Sequence, residues 1–207
     1  LQNLRKIANE YNIPLIEDSA QAFGAKLGGK YAGTYGDFGT YSFSPMKVFG
    51  SFGNAGAIVF KDKKYLKILR SLRTCGTINR EICNTAELKF DIDPVQAALI
   101  KENFNVYNEL RQKRIDFAKR YFLNLSSHYK ILPKIEREYN HTFYDYTILV
   151  DNRDKFIKYL YSKGIEVKVR HPILINHQPL FSKYHKTKLK NAEYFINKIL
   201  SLPMHYN

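Results

Sequence analysis

Acidic residues are scarce: the 207-residue chain has 19 Asp and Glu against 33 Lys and Arg, a formal charge of +14. Such an imbalance raises the question of a nucleic-acid partner. The basic residues lie instead along helical patterns, Lys61, Lys63, Lys64, Lys67, Arg70 and Arg73 in one and Arg111, Lys113, Arg114, Lys119 and Arg120 in another. No recognised binding module frames them, so they read as solvated faces, and nucleic acid is not an expected partner. Cysteine is nearly absent. Cys75 and Cys83 lack metal-ligand and thioredoxin spacing, so two free thiols are expected rather than a disulfide framework, and no metal site. No apolar run reaches about 18 residues and no signal peptide opens the chain, which points to a soluble cytoplasmic protein without a membrane partner. Neither a Gly-Lys-Ser/Thr phosphate loop nor a G-x-G-x-x-G turn is present.

What is present suffices for a packed core: 44% of residues are hydrophobic and 14% aromatic. Residues 1–88 alternate helix, strand, glycine-rich connection, strand, strand and helix, which predicts a layered α/β domain. Leu4, Ile7, Ala8 and Tyr11 mark the first helix, Pro14-Leu15-Ile16-Glu17 a buried strand, and the stretches 41–43 and 57–60 two more strands. Glycines 24, 28, 29, 33, 36 and 39 punctuate tight turns, while Gly50, Gly53 and Gly56 stand where a backbone approaches a ligand closely. Asp93-Pro94 signals a helix start, and an irregular apolar face runs toward Leu125 with room for one break. Beyond it the pattern predicts a small α+β domain: a strand over 144–150, a helix over 153–162 capped by Asp151 or Asn152 and stopped by Gly164, a strand over 165–169, and a last helix over 190–199. The expected division is 1–105 for the larger sheet domain and 106–207 for the smaller one.

Two polar residues stand out on this frame. Asp18 closes the first strand, at the C-terminal end where open α/β sheets place their ligands. Lys47 follows the strand Thr40-Tyr41-Ser42-Phe43 at a Ser-Pro turn and reaches the same crevice. A lysine amine holds an aldehyde, and an acid keeps a pyridine nitrogen protonated, so the pair suits a pyridoxal phosphate cofactor. The plainer alternative is an Asp that caps a helix beginning at Ser19 and a Lys on a loop.

The stretches PLIEDSAQAFGAKLGGKYAGTYGDFGTYSFSPMK and GSFGNAGAIVF resemble the core of the DegT/StrS family of nucleotide-sugar aminotransferases, which have the type I fold of pyridoxal phosphate enzymes. The resemblance implies that Asp18 pairs with the pyridine nitrogen, Gln21 bonds the ring hydroxyl, Ser42 holds the phosphate and Lys47 binds the aldehyde covalently. It continues through Asp93-Pro94-Val95-Gln96-Ala97-Ala98 and, more weakly, to Leu202-Pro203-Met204-His205. It further implies transfer of an amino group from glutamate to a nucleotide-linked keto-sugar, with amino-acid and nucleotide-sugar substrates and a homodimer. Family members carry a comparable length before Leu1, so the chain reads as the C-terminal part of a longer protein, with only part of the large sheet domain.

Two departures from the family pattern bear on the site. Where many members carry Asn-x-Arg, reaching the neighbouring subunit's cofactor, this chain has Lys89 and Asp91. Lys89 supplies a cation to a partner's phosphate in one reading and is a plain polar residue before a helix in the other; Asp91 replaces no arginine contact. The small-domain Tyr-Pro motif is altered to Arg170-His171-Pro172, with His177 after it, and His171 is open to a substrate contact or to an ordinary surface or core role. Three competing functions remain: a dehydratase of the same fold, which carries His in place of Lys47; a sensor or regulator that keeps the pocket; and an inactive fragment acting as an interaction protein.

Overall fold

The computed structural model describes residues 1–131, 139–184 and 188–205. In chain order its elements are α1 (Gln2–Glu10), β1 (Ile16–Asp18), β2 (Lys26–Leu27), β3 (Lys30–Tyr31), β4 (Phe38–Ser42), β5 (Gly56–Phe60), α2 (Leu66–Arg73), β6 (Thr77–Ile78) and β7 (Ile82–Cys83). They are followed by α3 (Pro94–Leu125), β8 (Lys130–Ile131), β9 (Tyr139–Asn140), β10 (Tyr146–Leu149), α4 (Arg153–Ser162), α5 (Lys190–Ile196) and β11 (Ile199–Leu202). Two compact units result. The first is Leu1–Arg111 with the return through β9 to Thr142, and the second begins at Gln112 and resumes at Phe143. The division falls inside α3, and a single cut at residue 105 does not capture the return through β9.

In the first unit β1 runs parallel to β4 and β4 antiparallel to β5, giving the order β1-β4-β5. The short strand β1 differs from its sequence reading. Its apolar residue Ile16 is 62% exposed, whereas the charged Glu17 is 6% exposed. Among the described residues β1 has one strand neighbour, and the sheet surface carrying Ile16 and Ile58 is left bare. A second sheet, β3-β2-β9, turns at Gly28 and Gly29, both with positive φ (54° and 80°), the geometry a tight hairpin demands and that glycine adopts without strain. Its pairing of Lys26 with Asn140 explains why β9 belongs to this unit. Arg111 secures the return by donating to Asn140.

The helix α3 starts as expected. Asp93 Oδ1 accepts from Val95 N (2.8 Å) and Asp93 O from Ala97 N (2.9 Å), with Pro94 in the first turn, where its missing N–H costs nothing. It then continues unbroken for 32 residues, so the irregular apolar face marks a change of surroundings and not a break.

The second unit is a small α+β module. Its sheet has the order β11-β10-β8, all antiparallel, with Tyr146, Ile148 and Leu200 essentially without solvent contact. These pack with Ala118 of α3, Leu160 of α4, Val167 and Met204. Arg114 serves as a backbone clamp, donating to Phe143 O (2.8 Å), Tyr144 O (3.0 Å) and Met204 O (2.8 Å). Gly164, at φ 73°, ends α4 as expected. Asn152 occupies the N-cap without a side-chain bond, and Asp151 pairs with Lys198. The last helix stops at Ile196, and Ile199, expected as its end, instead opens the strand Ile199–Leu202. The stretch 165–169 forms only the bridge Lys168↔Ser201. Short apolar runs of this kind fit either element, and pairing with β10 decides the matter. Among the described residues no helix is long and apolar enough to cross a membrane.

One ion pair ties α1 to the sheet. Asp37 Oδ2 accepts from Arg5 Nη1 (2.6 Å) and from Leu15 N (2.8 Å) at the head of β1 and β4. The Arg5 hydrogen bond first, and then that of Leu15, hold the Asp37 carboxyl below its ordinary value. A depressed carboxyl contributes stability that is fully present above the ordinary carboxylate range, near pH ~4, and is lost as pH falls through the folded value. Acid titration of unfolding should therefore show a shallower acid limb in Asp37→Asn than in the wild type. Identical limbs would exclude this contribution.

Candidate active site

Strand register delivers the first part of the site. Ile16, Glu17 and Asp18 pair with Phe38, Gly39 and Thr40, and Ser19 N donates to Thr40 O (2.9 Å), so β1 and β4 end side by side. Because side chains alternate along a strand, Asp18, Thr40 and Ser42 share one face while Glu17, Gly39 and Tyr41 share the other. Asp18 is exposed, and its Oδ1 accepts from Ala20 N (3.0 Å). That bond closes a turn around Ser19 and not a helix cap, because no helix follows. Asp18 Oδ2 has no hydrogen-bond partner among the described residues and is available to a ligand. Gln21 lies exposed on the turn that follows.

The second part is the loop after β4. Ser42 is half-buried, with a long contact from Ser44 N to its Oγ (3.4 Å), and Lys47 N donates to Ser44 O (2.9 Å), closing a turn over Pro45 and Met46. Lys47 is half-buried on that turn. The glycines beyond it make close approaches, but to the protein itself. A Cβ on Gly50 would stand 2.7 Å from Pro45 O, one on Gly53 2.8 Å from Gln96 Nε2, and one on Gly56 2.8 Å from Tyr41 O. Buried Ser51 joins the same network: its Oγ donates to Gly53 O (2.5 Å) and stands 3.0 Å from the Gln96 amide.

An aromatic cluster locks the two parts together. Phe23, two residues after Gln21, stacks on Phe49, two residues after Lys47, with centroids 4.7 Å apart and planes within 15°. Phe43, next to Ser42, meets both rings edge-on at 5.5 Å. Tyr107 of α3 covers the pair at 5.1 and 5.2 Å, and its hydroxyl donates to Phe23 O (2.5 Å). Gly24, at φ 77°, permits this approach, since a Cβ there would lie 2.2 Å from the Tyr107 hydroxyl. Asn103 Nδ2 adds a bond to Gly50 O (3.4 Å). Phe23, Phe43, Phe49, Gln96 and Tyr107 were not singled out from the sequence for this role. The available signal was a phenylalanine one or two residues beyond each of Gln21, Ser42 and Lys47.

Asp18, Gln21, Ser42 and Lys47 are thus set around one end of the sheet. The remaining expected residues lie elsewhere. Lys89 is exposed between β7 and α3, its backbone bridged to Thr74. Its neighbour Asp91 pairs with Arg73 Nε at 3.2 Å. In the second unit Arg170 binds Asp145 Oδ1 through Nε and Nη2, both at 2.8 Å, with its guanidinium 4.8 Å from the Tyr144 ring. His171 beside it is exposed.

The donor set at the sheet end comprises a carboxylate with an uncommitted oxygen, an amide, a hydroxyl and an amine. It fits a phosphorylated pyridine aldehyde: an acid for the ring nitrogen, an amide for the ring hydroxyl, a hydroxyl for the phosphate and an amine for the aldehyde.

Comparison with known proteins gives the same direction. The chain is 29% identical over 207 residues to UDP-N-acetyl-3-dehydro-alpha-D-glucosamine 3-aminotransferase of Acidithiobacillus ferrooxidans, covering 99% of this chain and 55% of the relative. It superimposes on a DegT DnrJ EryC1 StrS aminotransferase from Brucella abortus with a TM-score of 0.89 at 28% identity, covering 99% of this chain and 55% of that one. It also matches NtdA of Bacillus subtilis, solved with bound cofactor PMP, at a TM-score of 0.81 and 28% identity, over 99% of this chain and 48% of that one. The chain therefore spans about half the length of the proteins it matches. Its α/β architecture is that of the type I pyridoxal phosphate aminotransferases. The DegT/DnrJ/EryC1/StrS aminotransferase model matches residues 1–207, and the chain belongs to that family.

Proposed function

We propose that this chain forms the Asp18 and Lys47 wall of a pyridoxal phosphate-dependent aminotransferase that moves an amino group, with glutamate as donor, to a nucleotide-linked keto-sugar. The observation that carries this reading is the stacking of Phe23 on Phe49, which fixes the Asp18–Gln21 turn against the Ser42–Lys47 turn. The Acidithiobacillus relative, named for amino transfer to a UDP-linked sugar, supports the acceptor class. The positive charge of the chain favours both an anionic cofactor and an anionic sugar nucleotide.

When bound, pyridoxal phosphate supplies an aldehyde that captures amines and a ring that withdraws electrons. Lys47 Nζ would hold that group through its aldehyde. The Lys47 amine would also serve as the general base that takes the proton from the donor Cα and as the acid that gives it back. The Asp18 carboxylate keeps the ring nitrogen protonated, Gln21 orients the ring through its hydroxyl, and Ser42 Oγ binds the phosphate. A homodimer completes the site in this reading, with Lys89 reaching the phosphate in the partner subunit.

Borohydride reduction of the protein with pyridoxal phosphate, followed by peptide mass spectrometry, should place a pyridoxyl group on Lys47. Labelling of a different lysine, or of none, would overturn the assignment.

The two polar ligands should separate kinetically. Asp18→Asn leaves the cofactor bound but slows the donor half-reaction by about a hundredfold or more, because a neutral amide does not hold the ring proton. Ser42→Ala chiefly raises the cofactor dissociation constant, since one hydrogen bond to a charged group is worth roughly 1.5 to 3 kcal/mol. Equal effects of both variants on rate and retention would show the roles to be wrongly divided.

A further inference from the structure

The carboxylate next to Asp18 is buried, and the proposed chemistry gives it no part. Glu17 points to the opposite face of β1. There its Oε2 accepts from Gly33 N (2.9 Å) and its Oε1 from Gly36 N (2.5 Å), so each oxygen takes one backbone donor from the loop between β3 and β4. A buried carboxylate is tolerated only when its oxygens are answered in this way. Tyr41, on the same face, closes the loop from the other side by donating to Ala32 O (2.5 Å). Burial first, and then the Glu17 charge, push the Tyr41 hydroxyl above its ordinary pKa, which keeps it a donor.

The glycines here are required by contact. A Cβ on Gly33 would lie 2.4 Å from the Tyr41 hydroxyl, one on Gly36 2.4 Å from Leu15 O, and one on Gly39 2.0 Å from Gly33 O. The loop is thereby drawn onto β1 and β4 with bare backbone, and the Glu17 side chain is the hook that holds it. In a strand of three residues, fixing the side chain on one face fixes the rotation of the strand about its axis, and with it the direction of the next side chain on the other face.

We infer that Glu17 is a positioning residue for Asp18: held by the N–H groups of Gly33 and Gly36, it sets the orientation of β1 that aims the Asp18 carboxylate at the cofactor ring nitrogen. The inference rests on the function proposed above. It adds that Asp18 depends on a residue that touches neither cofactor nor substrate.

The test compares wild type, Glu17→Gln and Glu17→Asp. The amide of Gln turns an N–H₂ toward a backbone donor, and the shorter Asp does not reach both glycines. Each protein is loaded with pyridoxal phosphate and probed by Lys47 labelling, by the visible spectrum of the bound cofactor, and by the donor half-reaction. Both variants should retain Lys47 labelling, shift the spectrum toward that of Asp18→Asn, and lose about tenfold to a hundredfold in half-reaction rate, the usual consequence of a small misplacement. The donor KM should stay within about twofold, because ground-state binding is not what Glu17 serves. Wild-type rate and spectrum in the variants overturn the inference, as does a lowered melting temperature with rate and spectrum unchanged. Should Glu17→Gln fail to fold, the same readouts on Glu17→Asp decide. Failure to label Lys47 in the wild type instead refutes the function on which the inference stands.

Discussion

The stacking of Phe23 on Phe49 is the contact on which the rest of the site depends. Asp18 Oδ1 accepts from its own turn, and Ser42 Oγ takes a long contact within its loop. Nothing in those bonds fixes the distance between an acid on one turn and an amine on the other. The rings do. Phe23 and Phe49 are stacked, Phe43 is wedged against both, and Tyr107 closes the cluster from α3. Aromatic pairs of this geometry are worth about 0.5 to 1.5 kcal/mol each beyond the area they bury, and they are directional. Turns that carry Asp18, Gln21, Ser42 and Lys47 gain rigidity from apolar neighbours one or two residues away.

The β1–β4 pair divides its work between faces. On one face Glu17 and Tyr41 gather the glycine-rich loop, with every carboxylate oxygen answered by a backbone N–H. On the other, Asp18 and Ser42 remain accessible at the strand ends. The division follows from strand geometry alone, since successive residues face opposite ways. A buried acid and an exposed acid at adjacent positions therefore have separate duties, and the Glu-Asp pair in the sequence is best read as one internal and one external carboxylate.

Much of this was legible in the residues. The strands around Asp18 and Ser42, the Asp93-Pro94 helix start and the Gly164 stop follow from local pattern, because caps, proline and glycine act within a turn of the chain. Motif and spacing marked Asp18, Gln21, Ser42 and Lys47 as the candidates, and their roles stand as proposed. Contacts between segments far apart in sequence were not legible. Tyr107 reaches Phe23 across 84 residues and Ser51 meets Gln96 across 45, and no periodicity encodes such meetings. The exposure of Ile16 was missed because an apolar run signals burial only where a neighbouring element covers it. The predicted end of the last helix ran to Ile199, which opens a strand instead, because the short run of Ile199, Leu200 and Leu202 fits either element until β10 offers its edge.

A double-mutant cycle on Phe23→Leu and Phe49→Leu, read as the dissociation constant for pyridoxal phosphate, tests the central claim most directly. Leucine keeps the site apolar and removes the stacked pair. The account predicts that each single change weakens binding and that the two are coupled by about 0.5 to 1.5 kcal/mol, because either alone already releases one turn from the other. Strictly additive effects, or cofactor affinity unchanged in the double variant, would contradict it.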